Sequence, residues 1–210
     1  FFLGNGCTLT LDENGNQICD FNSEKGLQAA EAIRAICNHP AYTSGDDTVL
    51  QGGMGDAICA GISGTWVAAA MKEKLGDNYA AAKLPTFTVD GEQVQMGSFL
   101  GCKILGVNTQ TQHPVEAMEL AEYLTSEDAQ IRRYEVRGYG PSNLNAAASE
   151  EVSADVALSA LAAQSEFGVS QHVLGTFWTP AEAFGAELEA HSEADLQTLL
   201  DQFVSQVTAQ

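Results

Sequence analysis

The sequence predicts an α/β fold, and three observations predict it. Two turn dipeptides, Asn14-Gly15 and Asp90-Gly91, each sit between short segments of strand-forming residues, as hairpins require. Apolar residues recur at helical spacing, most plainly Leu196, Leu199, Leu200, Phe203, Val204 and Val207. Strand-like and helix-like patterns also interleave along the chain, which is the order of an α/β protein with hairpins as antiparallel additions. At 210 residues and 45% hydrophobic content, the chain can bury one sizeable core or two small ones.

The first hairpin pairs Thr8-Leu9-Thr10-Leu11 with Gln17-Ile18-Cys19, and Asn14-Gly15 supplies two residues of positive φ. Asp12, Asn14 and Asn16 have the look of a calcium loop, but the glycine falls at the fourth place and no Glu stands at the twelfth. A solvated turn is the simpler reading. A helix follows from about Ser23 to Cys37, with Leu27, Ala30, Ile33 and Cys37 on one face. Asn38-His39-Pro40 ends it, because a residue before proline is driven out of the α region. Gly52-Gly53-Met54-Gly55 lacks both the Walker lysine and a complete GxGxxG, so it reads as a flexible connection.

Ala57 to Ser63 is apolar and short, the pattern of a buried strand, and it predicts a buried Cys59. Gly64-Thr65-Trp66 turns it into a helix over Val67 to Leu75, capped by Gly76. A second hairpin joins Thr86-Phe87-Thr88-Val89 to Gln93-Val94-Gln95-Met96 through Asp90-Gly91. Leu100 to Val107 predicts another buried strand. His113-Pro114 opens a helix with Val115, Met118, Ala121 and Leu124 on one face, and Thr125 with Asp128 caps the next, to about Val136. Ser153 to Gln164 is alanine-rich and helical. Thr179-Pro180-Ala181-Glu182 is a capping box with proline at N1, and Ser192 and Asp195 start the last helix.

Nine Lys and Arg stand against 28 Asp and Glu, a net charge of −19. Such a surface repels phosphate backbones and anionic headgroups, which excludes nucleic acid and makes a membrane surface a poor partner. No run of 18 apolar residues could span a bilayer. Phe1-Phe2-Leu3 in place of Met is the expected mark of a segment cut from something longer. The five cysteines, at 7, 19, 37, 59 and 102, include no CxxC and no zinc-finger spacing, and an odd number cannot pair fully within one chain. Reduced thiols are expected.

No nucleophile motif survives scrutiny. Gly61-Ile62-Ser63-Gly64 brings its second glycine one place too early for GxSxG, and His39, His113, His172 and His191 are scattered with no HExxH. Acidic residues are so many that a carboxylate pair at glycosidase spacing would arise by chance. No catalytic residue, metal ligand or cofactor is expected. The tryptophans remain: Trp66 lies where a predicted strand breaks into a helix, and Trp178 just before a predicted N-cap. Loops at strand ends form the ligand crevices of open α/β folds, and an indole there can lay its face on a sugar ring. The alternative is that each indole anchors the core.

Ala60-Gly61-Ile62-Ser63-Gly64-Thr65-Trp66 and Lys83-Leu84-Pro85-Thr86-Phe87 resemble the middle of the maltose/maltodextrin-binding family of extracellular solute-binding proteins. Gly97-Ser98-Phe99 and Gly106-Val107-Asn108 follow suit. The most specific match runs from His113-Pro114-Val115-Glu116-Ala117 through Leu120 to Gln130, and Gly140-Pro141-Ser142-Asn143 and Phe177-Trp178 continue it in the same order. The resemblance implies a type II periplasmic-binding-protein-like fold, seen here as a C-terminal lobe plus a segment belonging to the N-terminal lobe. It places residues 1–86 and 138–210 in the C-terminal lobe and 87–137 in a crossover toward the N-terminal one.

It further implies capture of an α-glucan oligosaccharide by Trp66 and Trp178, with Ser98, Tyr139 and Thr179 as polar partners, and delivery to the membrane subunits of an ABC importer. The place would be extracellular, with a lipid anchor on a missing N-terminus. The family often has a tyrosine and an arginine shortly after the second tryptophan, where this chain has Thr179 and Glu182. Residues 87–137 would lack their neighbours and expose apolar surface until a missing N-terminal lobe or another copy of the chain covered it. Two other functions fit the composition: a secreted carbohydrate-active enzyme or accessory module using a carboxylate pair, and a non-catalytic interaction module.

Overall fold

The computed structural model describes residues 1–190 and 193–209. In chain order come β1 (Leu9–Leu11), β2 (Gln17–Cys19), α1 (Glu24–Cys37) and α2 (Asp47–Gly53). A 3₁₀ turn over Thr65–Val67 leads into α3 (Ala68–Leu75). Next are β3 (Thr86–Val89), β4 (Glu92–Gln95), β5 (Ser98–Leu100), α4 (Pro114–Thr125) and α5 (Glu127–Arg137). Then follow α6 (Leu144–Ala147), α7 (Glu150–Ser153), α8 (Val156–Ser165) and β6 (Gly168–Ser170). A 3₁₀ turn over Gly175–Phe177 opens into α9 (Trp178–Ala190), and α10 (Leu196–Val207) closes the chain. The strands pair in twos: β1 with β2 and β3 with β4 antiparallel, β5 with β6 parallel.

The chain divides into two compact units. The first holds Phe1–Ile62, Leu84–Gly101 and Gln164–Gln210. Its core joins Cys7, Leu9, Cys19 and Phe21 from the first hairpin region to Ala30 of α1, Phe177, Leu188 of α9 and the buried stripe Leu196, Leu200, Phe203 and Val207 of α10. The predicted stripe of α10 is thus its buried face, with Leu199 and Val204 packed at the margin. Phe2 stacks on Phe21 with centroids 4.3 Å apart, and Phe21 stacks in turn on Phe203 at 5.9 Å. Ser23 caps α1, accepting from the Gly26 amide, and Gly26 is required where it stands. A Cβ there would lie 1.8 Å from the Phe21 carbonyl oxygen.

The second unit holds Ser63–Lys83 and Cys102–Ala163. Val67, Met71, Ala146, Val152, Ala157 and Leu158 are its buried apolar residues. Buried Gln130 on α5 ties the turn before α6, its Oε1 accepting from the Ser142 and Asn143 amides at 2.7 and 3.0 Å while Nε2 donates to the Thr125 carbonyl at 2.6 Å. Such full pairing is what makes a buried amide tolerable.

Several local expectations need correction. The second hairpin turns as predicted, with Asp90 at φ 49° and Gly91 at φ 86°. The first does not: only Gly15 is at positive φ, and the loop is held by Asp12, which accepts from the Asn14 and Asn16 amides at 2.8 Å. Gly52 and Gly53 are helical, inside α2, whose N-cap Asp46 accepts from the Thr48 and Val49 amides. Ala57–Ser63 is not a strand. Its only ladder contact is a single bridge between Met54 and Ile58, and Cys59 is exposed. Of Leu100–Val107 only Leu100 lies in a strand, since no described residue pairs with the rest.

On α4, Ala121 and Leu124 are half-buried as expected, but Val115 and Met118 are exposed. Ser126, not Thr125, caps α5, accepting from the Ala129 amide. The alanine-rich helix is broken at Ala154-Asp155, where the Asp155 carboxylate accepts from the Ala157 and Leu158 amides and restarts it as α8. The 3₁₀ turn carries α9 back to Trp178, so Thr179 sits inside the helix and is not its cap. Asp195 caps α10 as expected, and Ser192 lies outside the described residues.

Candidate functional site

Each unit presents one tryptophan, and each is delivered by the same local device. In the first unit, the turn Gly175–Phe177 buries Phe177 in the core and rotates the next residue outward, leaving Trp178 43% exposed. The indole is braced edge-on: its ring stands 5.1 Å from that of Phe177 at 80°, and 6.3 Å from that of Phe99 at 75°. Phe99 comes from the middle of β5, where it pairs with Val169 of β6. Edge contacts of this kind fix an aromatic ring while leaving a face open.

Ser98 and Thr179 belong to the same unit. Ser98 begins β5, and its hydroxyl accepts from Gln164 Nε2 at 3.2 Å. Thr179 is exposed on the first turn of α9, next to Trp178. The structure therefore brings Trp178 beside β5 through Phe99, and Ser98 is the strand neighbour of that ring.

In the second unit, the turn Thr65–Val67 buries Val67 and leaves Trp66 73% exposed. The ring folds back over Gly64, where a Cβ would come 2.0 Å from it, so a larger residue there would push the indole off this position. Tyr139, also in this unit, is half exposed and follows Gly138, whose φ of 66° ends α5 in a left-handed cap. Lys103 Nζ lies over the Tyr139 ring, 4.9 Å from its centroid, a cation–π contact.

Sequence reasoning missed three contributors. Phe99 was legible only as part of a Gly-Ser-Phe run, Gln164 only as the end of an alanine-rich helix, and Lys103 carried no signal at all. Polar groups close to these rings can hydrogen-bond and the rings can stack. Among the described residues no group of three or more His, Cys, Asp or Glu is placed to hold a metal ion, and no helix is long and apolar enough to cross a membrane.

With this geometry in hand, the resemblance to known proteins is specific. A solved structure of a protein with acarbose is 29% identical, with a TM-score of 0.82, over 99% of this chain and 57% of that one. The maltodextrin-binding protein MalE1 from L. casei BL23, without ligand, is 28% identical, with a TM-score of 0.86, over 100% of this chain and 58% of that one. The maltose/maltodextrin-binding domain MalE from Bdellovibrio bacteriovorus, bound to maltotriose, is 18% identical with a TM-score of 0.56 and shares the fold alone. The chain thus spans somewhat under three-fifths of the length of the two more similar structures, and its mixed α/β architecture is theirs. No curated protein matches it. Residues 5–160, well over half the chain, match the bacterial extracellular solute-binding proteins, and the chain belongs to that family.

Proposed function

We propose that the chain is part of a receptor that captures maltodextrin-type α-glucan oligosaccharides outside the cell and hands them to the membrane subunits of an ABC importer. It performs no reaction. Trp66 and Trp178 each stack on a glucose ring, whose C–H groups meet the electron-rich indole face, and Ser98, Tyr139 and Thr179 hydrogen-bond to hydroxyls. A lipid anchor upstream of Phe1 holds the receptor at the cell surface.

The observation that carries this reading is the exposure of both indoles, each beside a buried neighbour that anchors its turn. A core anchor would be sealed; both indoles are open to solvent, and Trp178 is braced edge-on by Phe99 and Phe177. The similar structures with acarbose or named for maltodextrin supply the ligand class.

The test uses the chain's own reporters, since it has only two tryptophans. Titration with maltotriose and with acarbose should change tryptophan fluorescence saturably, and glucose should do so more weakly. Absence of any response to glucans from two to seven units long removes the substrate assignment and leaves the family membership standing.

A further inference from the structure

Two Asn-Gly dipeptides lie in the first unit, Asn5-Gly6 and Asn14-Gly15, and the fold treats them oppositely. In both, the glycine has no Cβ to shield its amide nitrogen from the preceding carboxamide, and both glycines are at positive φ, 80° and 82°. Asn5 is half-buried and clamped. Its Nδ2 donates to the Lys25 carbonyl at 2.8 Å and to Gln28 Oε1 at 3.2 Å, both on α1. Gly6 is crowded as well, since a Cβ there would lie 3.2 Å from Lys25 Nζ. The flanking Phe2, Leu3 and Cys7 pack in or against the core of the unit, so freeing the Asn5 carboxamide means undoing core packing.

Asn14 and Gly15 sit at the exposed tip of the first hairpin, and nothing lies within 4 Å of where a Gly15 Cβ would be. The tip is held through one residue, Asp12. Its carboxylate accepts from the Asn14 and Asn16 amides at 2.8 Å, and its carbonyl accepts from the Gly15 amide at 3.0 Å. Residues 12–16 contribute nothing to the core. A loop tip without buried contacts opens at small cost, and each opening frees the Gly15 nitrogen and the Asn14 carboxamide to meet.

We propose that Asn14 is a site of spontaneous modification, converting through a cyclic imide to aspartate and isoaspartate, and that the same dipeptide at Asn5 is protected by its clamp to α1. The Gly15 nitrogen attacks Asn14 Cγ. A C–N bond forms, the Cγ–Nδ2 bond breaks, and the Gly15 amide proton leaves with the departing nitrogen as ammonia. Water, the one co-reactant, then opens the imide. Opening at the side-chain carbonyl gives aspartate; opening at the main-chain carbonyl gives isoaspartate, whose main chain runs through Cβ. Either product adds a negative charge beside Asp12 and Glu13. Isoaspartate also puts a methylene into the turn, which pulls the Asn14 and Asn16 amides out of register with the carboxylate that holds them. The ladder behind the tip is short, three residue pairs, and its opposed pair Leu9 and Cys19 lies in the core.

Ageing of the whole chain at mildly alkaline pH, followed by peptide mapping on a mass spectrometer, reads both sites in one sample. In the folded chain Asn14 should convert faster than Asn5 by roughly tenfold or more. In urea that unfolds the chain the two rates should converge, because the clamp on Asn5 is gone. Comparable rates at the two sites in the folded chain overturn the proposal. So does a ratio that persists in urea, which would assign the difference to neighbouring residues and not to the fold. Asn14→Gln, whose longer side chain closes a six-membered imide far more slowly, should remove the first species of increased negative charge that ageing produces. Asn14 is exposed, so the variant keeps the fold, and persistence of that species in it removes Asn14 as the site.

Discussion

The side chain of Gln164 holds the backbone of Leu84: its Oε1 accepts the Leu84 amide at 3.0 Å. The same buried residue donates from Nε2 to the Met96 carbonyl at 3.1 Å and to the Ser98 hydroxyl at 3.2 Å. One amide at the end of α8 therefore fastens both ends of the β3–β4 hairpin, Leu84 on one side and Met96 with the start of β5 on the other. Gln17 does similar work at the first hairpin, donating to the Thr10 carbonyl at 2.6 Å and accepting from the Leu174 amide at 2.9 Å.

Replacing Gln164 by leucine keeps the volume, strands the Leu84 amide and leaves the Met96 carbonyl only the 3.4 Å bond from Gln95 Nε2. Leaving buried partners unsatisfied costs about 2–4 kcal/mol here, to be read as a lowered urea midpoint with an unchanged m-value. Gln164→Glu, which retains an acceptor for Leu84 and loses the donor to Met96, should fall between wild type and leucine. Equal stability of all three would mean that water satisfies these groups as well as the side chain does.

The two tryptophans should separate stability from binding. Trp66 is far more exposed than Trp178, so Trp66→Ala should cost less stability than Trp178→Ala. Trp178 loses two edge-on aromatic contacts when truncated, a cost of about 1–2 kcal/mol. On the proposed function each substitution weakens maltotriose binding roughly tenfold or more, which is about 1.4 kcal/mol. Calorimetry with wild type and both variants measures this, and unaltered affinity in either variant removes that indole from the site.

Local rules carried much of the fold. The stripe of α10, the Asp90-Gly91 turn and the Gly76 cap of α3 each depend on residues within one turn or one hairpin, and each was legible. The apolar runs Ala57–Ser63 and Leu100–Val107 were not. A strand exists only against a partner, and composition does not say whether a partner is there. Cys59 was misplaced for the same reason. At the candidate site the sequence marked Trp66 and Trp178 as exceptional residues at element boundaries. It could not say that Phe177 turns inward while Trp178 turns outward, since the choice is made by the 3₁₀ turn. Nor could it bring Phe99 or Lys103 to their rings, because those contacts come from tertiary packing.

The loop after α1 is tied to α9 by a carboxylate that should make stability depend on pH at both ends. Glu189 accepts from the Tyr42 hydroxyl and from the Ser44 hydroxyl, the latter at 2.7 Å. The Tyr42 and Ser44 hydrogen bonds hold its carboxyl below the ordinary value of 4.5, and the bond to Glu189 pushes the Tyr42 phenol above its ordinary 10. The lowered carboxyl contributes stability that is fully present above pH 4.5 and is lost as pH falls through the folded value. The raised phenol contributes stability that is fully present below pH 10 and is lost as pH rises through the folded value. Tyr42→Phe should therefore lower the melting temperature most between these limits, with the difference from wild type shrinking at both ends. A difference independent of pH would show that the tie contributes packing alone.

Thiol reactivity tests the core of the first unit directly. Alkylation requires a thiolate and access to it. Cys7 and Cys19 are buried beside the first hairpin, and burial is the main cause that raises both thiols, Cys19 to about 11. Burial also raises Cys37, which is only partly covered, whereas Cys59 and Cys102 are exposed. Iodoacetamide at pH 7.5 should therefore modify Cys59 and Cys102 first, Cys37 more slowly, and Cys7 and Cys19 only as the chain unfolds. Peptide mapping by mass spectrometry gives the order. Since Cys7 and Cys19 pack with Phe21, Leu200 and Phe203, Leu200→Ala should cost about 3 kcal/mol and speed their labelling without changing that of Cys59. Native labelling of Cys7 or Cys19 at the rate of Cys59 would mean that the hairpin does not seal this core, and the anchoring of Phe177 that sets the outward turn of Trp178 would lose its basis.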